Sequence, residues 1–292
     1  MADPFHREAQ LDLQAFYYPL GFPLQLKTNS KEILAAADSL WSGASKLFDE
    51  PPFELRVIVD PGESIPAPPV YRSQAHLMTA ISGPDNFGVC DYTQNLAFCR
   101  LTESASKMRD FVVYWYLKAL INYAFTQLYL TPIHGACIAL EGRGVLICGA
   151  SGSGKTTLAY ACARKGWTYI SDNESWLVRG GNLLVGDPRS IRFRPDAVKL
   201  FPELIPNQQY PNGKFSIQMN NTADSCQIAR IVYLSKIDSL LDEIPLYEEH
   251  VREEHRKSLE RLCQLEPIDL RYSSLDEAES LLRTSISATV TR

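Results

Sequence analysis

The sequence lacks the features that mark several large classes of protein. It has no excess of basic residues, since its formal net charge is -5, and this argues against nucleic acid and anionic membranes as partners. Its seven cysteines form no C-x-x-C pair and have no histidine at zinc-binding spacing, so we predict free thiols. Residues 1–8 lack the basic and then apolar order of a secretory signal. We therefore expect a cytoplasmic protein.

An uninterrupted apolar run long enough to cross a membrane is also missing. Residues 111–130 come nearest, but polar side chains interrupt them at helical spacing, among them Lys118, Asn122 and Thr126. A lysine near the middle of a membrane span is costly. We therefore predict a helix that is buried in protein and carries one polar stripe.

The chain does contain one pattern with a specific chemical meaning, G-x-x-x-x-G-K-[ST]. An apolar run precedes it and a helical pattern follows it, which is the strand, loop and helix order of a phosphate-binding loop. Glycines let backbone N–H groups approach a phosphate at the start of the helix. The pattern predicts that Lys155 contacts the β- and γ-phosphates of ATP and that Thr156 ligates Mg²⁺. The predicted nucleotide-binding residues are Gly149, Ala150, Ser151, Gly152, Ser153, Gly154, Lys155, Thr156 and Thr157.

The first third of the chain has no catalytic motif. Its predicted elements are strands at residues 21–28 and 53–59, a helix at 33–40 and a hairpin at 87–101. We interpret residues 1–104 as a smaller N-terminal α/β module for packing, assembly or partner recognition. The boundary is placed near Ser104, where the long helix begins, and residues 105–292 form the second domain.

Polar residues in the second domain form the candidate site. A strand at residues 167–171 ends at Asp172, and side chains at the carboxyl end of a strand in an α/β sheet are well placed for a site. Three arginines, at 189, 192 and 194, follow a predicted hairpin. Strand alternation puts Arg192 and Arg194 on one face and Arg189 on the other. We choose Arg189 as the residue that clamps a phosphate or an acidic substrate.

Two later segments are predicted to be a loop that covers the site and a helix that lies on the protein surface. Residues 208–215 contain a proline and a glycine and are typical of a mobile loop, here over the site. Residues 240–263 alternate acidic and basic charges, which favours a helix with a solvated face. His250 and His255 are predicted to lie on the surface of this helix.

The residues around the loop resemble the HPr kinase/phosphorylase family of serine kinases, whose fold is akin to phosphoenolpyruvate carboxykinase. In that family a His-Gly pair precedes the two strands that lead to the phosphate loop, and His134-Gly135 stands at the matching distance here. The family next has a basic-Gly step, a strand and an acidic pair, which are matched by Arg164-Lys165-Gly166 and Asp172. The resemblance covers residues 134–201. It implies an α/β fold with a P-loop-containing mixed sheet flanked by helices.

Two positions depart from the family pattern. The acidic pair reads Asp172-Asn173, with Glu174 next, and Thr157 stands where the bifunctional enzymes usually have Glu. The glycine-rich signature that accompanies phosphorylase activity and HPr docking is not recognisable either. The chain therefore looks more like the HPr kinase-like relatives of other pathways, and HPr is not assigned as its substrate.

The resemblance implies an ATP- and Mg²⁺-dependent kinase that phosphorylates a hydroxyl, with serine as the first candidate, in a protein, a peptide or a small molecule. Asp172 takes the family's role of accepting or positioning the proton of that hydroxyl, and with Thr156 it is assigned to the metal. Capping of the next turn is its alternative role.

Other readings stay open. His134 is assigned to a hydrogen bond with Asp172 or with the transferring phosphoryl group, and a structural histidine is the alternative. The chain could instead be a nucleotide-dependent switch or assembly factor, or a carboxykinase-like kinase of small molecules. Assembly as a homo-oligomer is also open.

Overall fold

The computed structural model describes residues 10–172, 174–206, 208–210, 213–235 and 247–287. They form two units, of which the first contains residues 10–129 with 247 and 248, and the second contains the other described residues from Leu130 onward. The first unit thus extends beyond the predicted boundary at Ser104. The reason is that the helical segments after Ser104 pack on the first sheet, where Tyr116 donates hydrogen bonds to Ser82 and to the carbonyl of Asn86. The functional roles given to the two domains stay predictions.

Seven strands of the first unit form one mixed sheet. They are β1 (Leu13–Tyr17), β2 (Leu24–Thr28), β3 (Phe53–Asp60), β4 (Val70–Gln74), β5 (Leu77–Ile81), β6 (Phe87–Asp91) and β7 (Leu96–Thr102). Their order is β1-β2-β3-β7-β6-β5-β4. Strands β2, β3 and β7 run parallel, whereas β6 and β7 form the predicted antiparallel hairpin.

The helices of the first unit are α1 (Lys31–Trp41), α2 (Glu103–Ser106), α3 (Arg109–Phe111), a π-helical stretch (Val112–Lys118) and α4 (Ala119–Leu128). Ser30 caps α1, because its Oγ accepts the N–H of Ile33 at 3.4 Å. Within the described residues, no helix is both long and apolar enough to cross a membrane. Thr126, predicted in a polar stripe, is buried and donates to the carbonyl of Asn122.

The second unit contains the remaining strands. They are β8 (Leu130–Ile133), β9 (Gly135–Leu140), β10 (Arg143–Cys148), β11 (Thr168–Asp172), β12 (Ser175–Val178), β13 (Leu183–Gly186), β14 (Ser190–Phe193), β15 (Gln208–Gln209), β16 (Phe215–Gln218), β17 (Ser225–Tyr233) and β18 (Ile268–Asp269). An eight-stranded sheet has the order β11-β9-β10-β17-β13-β12-β8, with β18 beside β17, and a three-stranded sheet has the order β14-β16-β15. Both parallel and antiparallel neighbours occur, so the mixed α/β architecture is confirmed.

Helices cover both faces of the eight-stranded sheet. They are α5 (Lys155–Arg164), α6 (Glu249–Cys263) and α7 (Leu275–Ser287). Val145 packs with Leu158 of α5 and Leu282 of α7 on one face, and Leu146 packs with Leu262 of α6 on the other. A strand covered on both faces buries every side chain, which explains the continuous apolar run before the loop.

The prediction for His255 was wrong. Its side chain is 1% exposed, and its Nε2 lies 3.4 Å from a terminal nitrogen of Arg179. Burial lowers the pKa of His255 to about 4, and the charge of Arg179 acts in the same direction. His250 on the same helix is exposed, as predicted.

The predicted mobile loop at residues 208–215 lies partly outside the described residues. Its described parts include β15 and the start of β16, where Phe215 pairs with Phe193 of β14. A 3-10 helix, Pro195–Lys199, follows Arg194.

Candidate active site

The candidate site lies at one edge of the eight-stranded sheet. Strand β10 is parallel to β17 and antiparallel to β9, and β9 is antiparallel to β11. Strands β10, β11 and β17 therefore end at the edge where β9 begins. The topology brings together at this edge the glycine loop (residues 149–154), Asp172, His134 and Ser235.

The backbone of the glycine loop requires its glycines. Gly152 and Gly154 have φ angles of 84° and 99°, in the left-handed region that side chains disfavour. A side chain at Gly149 would place its Cβ 2.5 Å from Ser153 Oγ. The loop thus has a conformation that few other sequences could adopt, and it leads directly into the first turn of α5.

Lys155 is turned inward at the start of α5 and is 5% exposed. Its ammonium donates to the carbonyl oxygens of Gly149 at 2.8 Å and Ala150 at 3.1 Å. His134 Nε2 lies 3.1 Å from the same nitrogen, so it accepts from the ammonium when His134 carries its proton on Nδ1. Burial lowers the pKa of Lys155, and the charge of Asp172 opposes this shift.

Thr156 connects α5 to the end of β11. Its hydroxyl lies 3.0 and 3.1 Å from the two carboxylate oxygens of Asp172 and donates to them. Burial raises the pKa of Asp172 to about 6, while the hydrogen bond from Thr156 and the charges of Lys155, Lys214 and Arg192 oppose the rise. Thr157, the next residue, is partly buried. The site therefore holds a carboxyl group whose pKa is close to neutrality.

The predicted arginine, Arg189, is held by its own neighbour. Its guanidinium pairs with Asp187, with Nη2 to Oδ2 at 2.6 Å and Nε to Oδ1 at 2.8 Å. The guanidinium that meets the loop belongs to Arg194, whose terminal nitrogens lie 3.7 and 3.8 Å from where a Cβ on Gly152 would stand. Within the described parts of the chain, the Arg194 side chain has no hydrogen-bonding partner. The role proposed for Arg189 stays a prediction.

Two further residues touch the loop and were not singled out from the sequence. Ser235 follows β17, and its Oγ accepts the N–H of Ala150 at 3.0 Å. The hydroxyl of Tyr272 lies 3.7 Å from the Cβ position of Gly154. An apolar strand that ends in Ser235 was visible in the sequence, but its parallel pairing with β10 was not.

The residues at this edge of the sheet fit a nucleoside triphosphate and Mg²⁺. The first N–H groups of α5 have no acceptor within the helix, and the buried Ser153 Oγ has no hydrogen-bond partner among the described residues. Thr156 and Asp172 offer the oxygen ligands that Mg²⁺ prefers. No cluster of three His, Cys, Asp or Glu residues that could hold a metal occurs in the described chain.

Comparisons with known proteins give little beyond this geometry. No protein-family model and no curated protein matches the sequence. A solved structure titled as the Hpr(Ser) kinase/phosphatase from Coxiella burnetii is similar over 35% of this chain, with 17% sequence identity and a TM-score of 0.25. The match spans 63% of that chain, less than two thirds of its length. A likeness this weak carries no argument about function.

Proposed function

We propose that the protein is an ATP-dependent phosphotransferase that transfers the γ-phosphoryl group to a hydroxyl, with the serine of a protein or peptide as the first candidate. The observation that carries this proposal is the arrangement of three groups at one sheet edge: the Lys155 ammonium against the glycine loop, the Thr156 hydroxyl on Asp172, and Asp172 at the end of β11. Phosphoryl transfer depends on positioning and charge neutralisation, and these groups offer both.

Lys155 and the start of α5 form the phosphate-binding part of the proposal. The ammonium is bound to the carbonyls of Gly149 and Ala150, which fixes it beside the loop. Burial strengthens its attraction for an anion because water screens the charge less. The resulting phosphate-binding loop would use Lys155 on the β- and γ-phosphates and backbone N–H groups on their oxygens.

Asp172 and Thr156 form the transfer part. When bound, Mg²⁺–ATP supplies the phosphoryl group, and ADP is the leaving group. Asp172 accepts the proton of the attacking hydroxyl or orients that hydroxyl, and Thr156 holds the carboxylate through its hydrogen bond. A pKa of about 6 leaves Asp172 mainly ionised at pH 7, as a proton acceptor must be. With Thr156, the same carboxylate offers a metal ligand.

The switch alternative is less well supported at one position. Nucleotide-driven switches use a Walker-B Asp after an apolar strand, and β17 is the strand parallel to β10. The described residues after β17 are Leu234 and Ser235, and Asp238 lies outside the described residues. A kinase reading uses Asp172 instead, at the end of β11.

Replacement of Lys155 tests the nucleotide site directly. In Lys155→Ala we expect the affinity for a non-hydrolysable ATP analogue with Mg²⁺ to fall by about a hundredfold, since several charge-assisted hydrogen bonds are lost. Calorimetric titration of the full chain measures this. The matched control is Lys165→Ala. Lys165 lies at the other end of α5, and its replacement removes an ion pair with Asp276 of α7. Unchanged affinity in Lys155→Ala would remove the site assignment, and equal losses in both variants would do the same.

The acceptor can be sought with labelled ATP. Purified protein is incubated with fractions of a lysate, and the labelled species is identified. We expect label in a serine-containing species in the presence of Mg²⁺ and none with Lys155→Ala. Release of phosphate without any labelled acceptor in any fraction would favour the switch function.

A further inference from the structure

The three-stranded sheet is attached to both parts of the candidate site. Phe193 of β14 packs edge-on against Tyr160 of α5, with ring centroids 5.2 Å apart. Tyr169 of β11 donates its hydroxyl hydrogen to the carbonyl of Ser190 at 3.3 Å. The helix that follows the loop and the strand that ends in Asp172 therefore fix the position of β14.

Residues along β14 and after it alternate between core and solvent. Ile191 and Phe193 are buried with Phe215 of β16, whereas Arg192 and Arg194 are exposed. Phe193 pairs with Phe215, so the next antiparallel position places Lys214 beside Arg194. We call Arg192, Arg194 and Lys214 the basic face.

The basic face begins at the loop and extends away from it. Arg194 meets the loop at Gly152. Arg192 lies two residues earlier, which is about 7 Å along an extended strand, and its guanidinium stands over the ring of Tyr210 at 5.1 Å. Tyr210 in turn donates its N–H to the carbonyl of Lys214 at 2.8 Å. Arg192 and Lys214 are thus joined through Tyr210 at a short distance from the loop.

The basic face lies beside the strand that ends in Asp172. Tyr169 of β11 holds β14, the strand of Arg192, through its hydrogen bond to Ser190. Arg189 is not part of the basic face, and its guanidinium pairs with Asp187 through two short contacts.

We propose that the basic face binds an acidic peptide segment that carries the accepting hydroxyl, with Arg192 and Lys214 contacting its carboxylates. This inference rests on the proposed phosphotransferase function, and it adds the class of acceptor. The positive charges of the basic face favour a partner that carries carboxylates. Guanidinium groups bind carboxylates well because they present paired N–H donors. The exposure of Arg192 and Arg194 favours a peptide, since a small ligand is normally enclosed in a concave pocket.

Matched peptides test the inference. Two serine peptides are compared, one with glutamate on both sides of the serine and one with glutamine at the same positions. Their dissociation constants are measured by fluorescence anisotropy on the full chain, with and without the ATP analogue. We expect the acidic peptide to bind at least about tenfold more tightly, and the preference to shrink as salt increases.

Variants of the basic face complete the experiment. The double variant Arg192→Gln with Lys214→Gln should lose the preference for the acidic peptide. Lys199→Gln, an exposed lysine of the following 3-10 helix, should keep it. Thermal midpoints close to that of the unaltered chain confirm folding. Equal affinity for the two peptides, or a preference that survives in the double variant, would overturn the inference. Free glutamate binding as tightly as the acidic peptide would overturn the choice of a peptide.

The two proposals fail in different ways. Nucleotide affinity is measured on the same samples, with Lys155→Ala as the reference for its loss. If the ATP analogue binds and the peptides show no preference, the inference about the acceptor fails and the phosphotransferase function stands. If the acidic peptide is preferred while no nucleotide binds, the basic face stands as a peptide site and the phosphotransferase function fails.

Discussion

Glu54 in the first unit and Asp172 in the second are carboxylates whose pKa values are shifted in opposite directions. In the first unit, Arg100 pairs with Asp60 at 2.6 Å and Lys27 with Glu54 at 2.7 Å. Burial opposes the ionisation of Glu54, yet hydrogen bonds from Lys27 and Arg56 leave its pKa below the ordinary value. In the second unit burial prevails at Asp172 and raises its pKa to about 6.

The difference teaches where stability has been given up. A carboxylate with a lowered pKa stabilises the fold at neutral pH, whereas one with a raised pKa destabilises it there. The pKa of Lys155 is also shifted toward the uncharged form, because burial lowers it. Shifts of this kind cluster at functional sites, and Asp172 and Lys155 lie at one edge of one sheet.

Removal of one carboxylate from each unit tests the comparison most strongly. Asp172→Ala should reduce phosphoryl transfer by two to four orders of magnitude, as expected for a lost general base, while nucleotide binding survives. Asp60→Ala in the first unit should change transfer by no more than about twofold. Transfer is measured with labelled ATP and the lysate fraction that the unaltered protein labels. Undiminished transfer in Asp172→Ala would remove this residue from its role.

Arginines offer a second pair. Arg194→Gln should lower the rate of transfer by roughly ten- to a hundredfold, the range for charge-assisted hydrogen bonds to a phosphate. Arg100→Gln should leave the rate unchanged and cost at most about 1 kcal/mol of stability. Arg189→Gln decides between the two arginines near the site. A larger loss in Arg189→Gln than in Arg194→Gln would restore the residue chosen from the sequence.

The stability of the metal-free protein should depend on Asp172 and pH. Because its folded pKa lies near 6 and its ordinary value is 3.8, its unfavourable effect is absent below pH 4 and grows until pH 6. Asp172→Asn should therefore be more stable than the unaltered chain at pH 8, by up to about 3 kcal/mol, and equally stable at pH 4. Urea unfolding with a chelator present measures this, and a variant less stable at pH 8 contradicts it.

Two serines provide the smallest contrast. Each accepts one backbone N–H: Ser30 from Ile33 in the first unit and Ser235 from Ala150 in the second. Ser30→Ala should lower stability by about 1 kcal/mol, the usual cost of a lost helix cap, without changing nucleotide affinity. Ser235→Ala should weaken binding of the ATP analogue roughly three- to tenfold. An effect of Ser30→Ala on nucleotide affinity would contradict the separate roles of the two units.

Local patterns predicted much of the second unit. The turn between β9 and β10 and the β12–β13 hairpin are short-range features, and Glu141 and Gly142 have the positive φ angles, 52° and 77°, of a tight hairpin turn. The loop was predicted from its motif with the flanking strand and helix, and Asp172 from its place at the end of a strand and from the family resemblance. Strands β4 and β5 were missed, since none of the side chains of β4 is fully buried, so apolar alternation there is weak.

Residues placed by distant pairing could not be predicted. Ser235 depends on the parallel pairing of β17 with β10, and Arg194 depends on the packing of Phe193 against Tyr160. Alternation along β14 did place Arg192 and Arg194 on one face and Arg189 elsewhere, but it could not say which face meets the loop. His255 was misplaced although the sequence held a signal, because it lies four residues after Val251, which is buried with Leu262 on the same face of the helix.

The separation of β14-β16-β15 from the eight-stranded sheet has a consequence for how such a protein evolves. In the proposed function, the phosphoryl transfer depends on groups at the eight-stranded sheet. The choice of acceptor depends on side chains of the three-stranded sheet. Exchange of Arg192 or Lys214 for residues of different charge would then redirect the protein to new targets without altering the loop. Related proteins with this arrangement could then act on different acceptors while they keep the same residues in the loop.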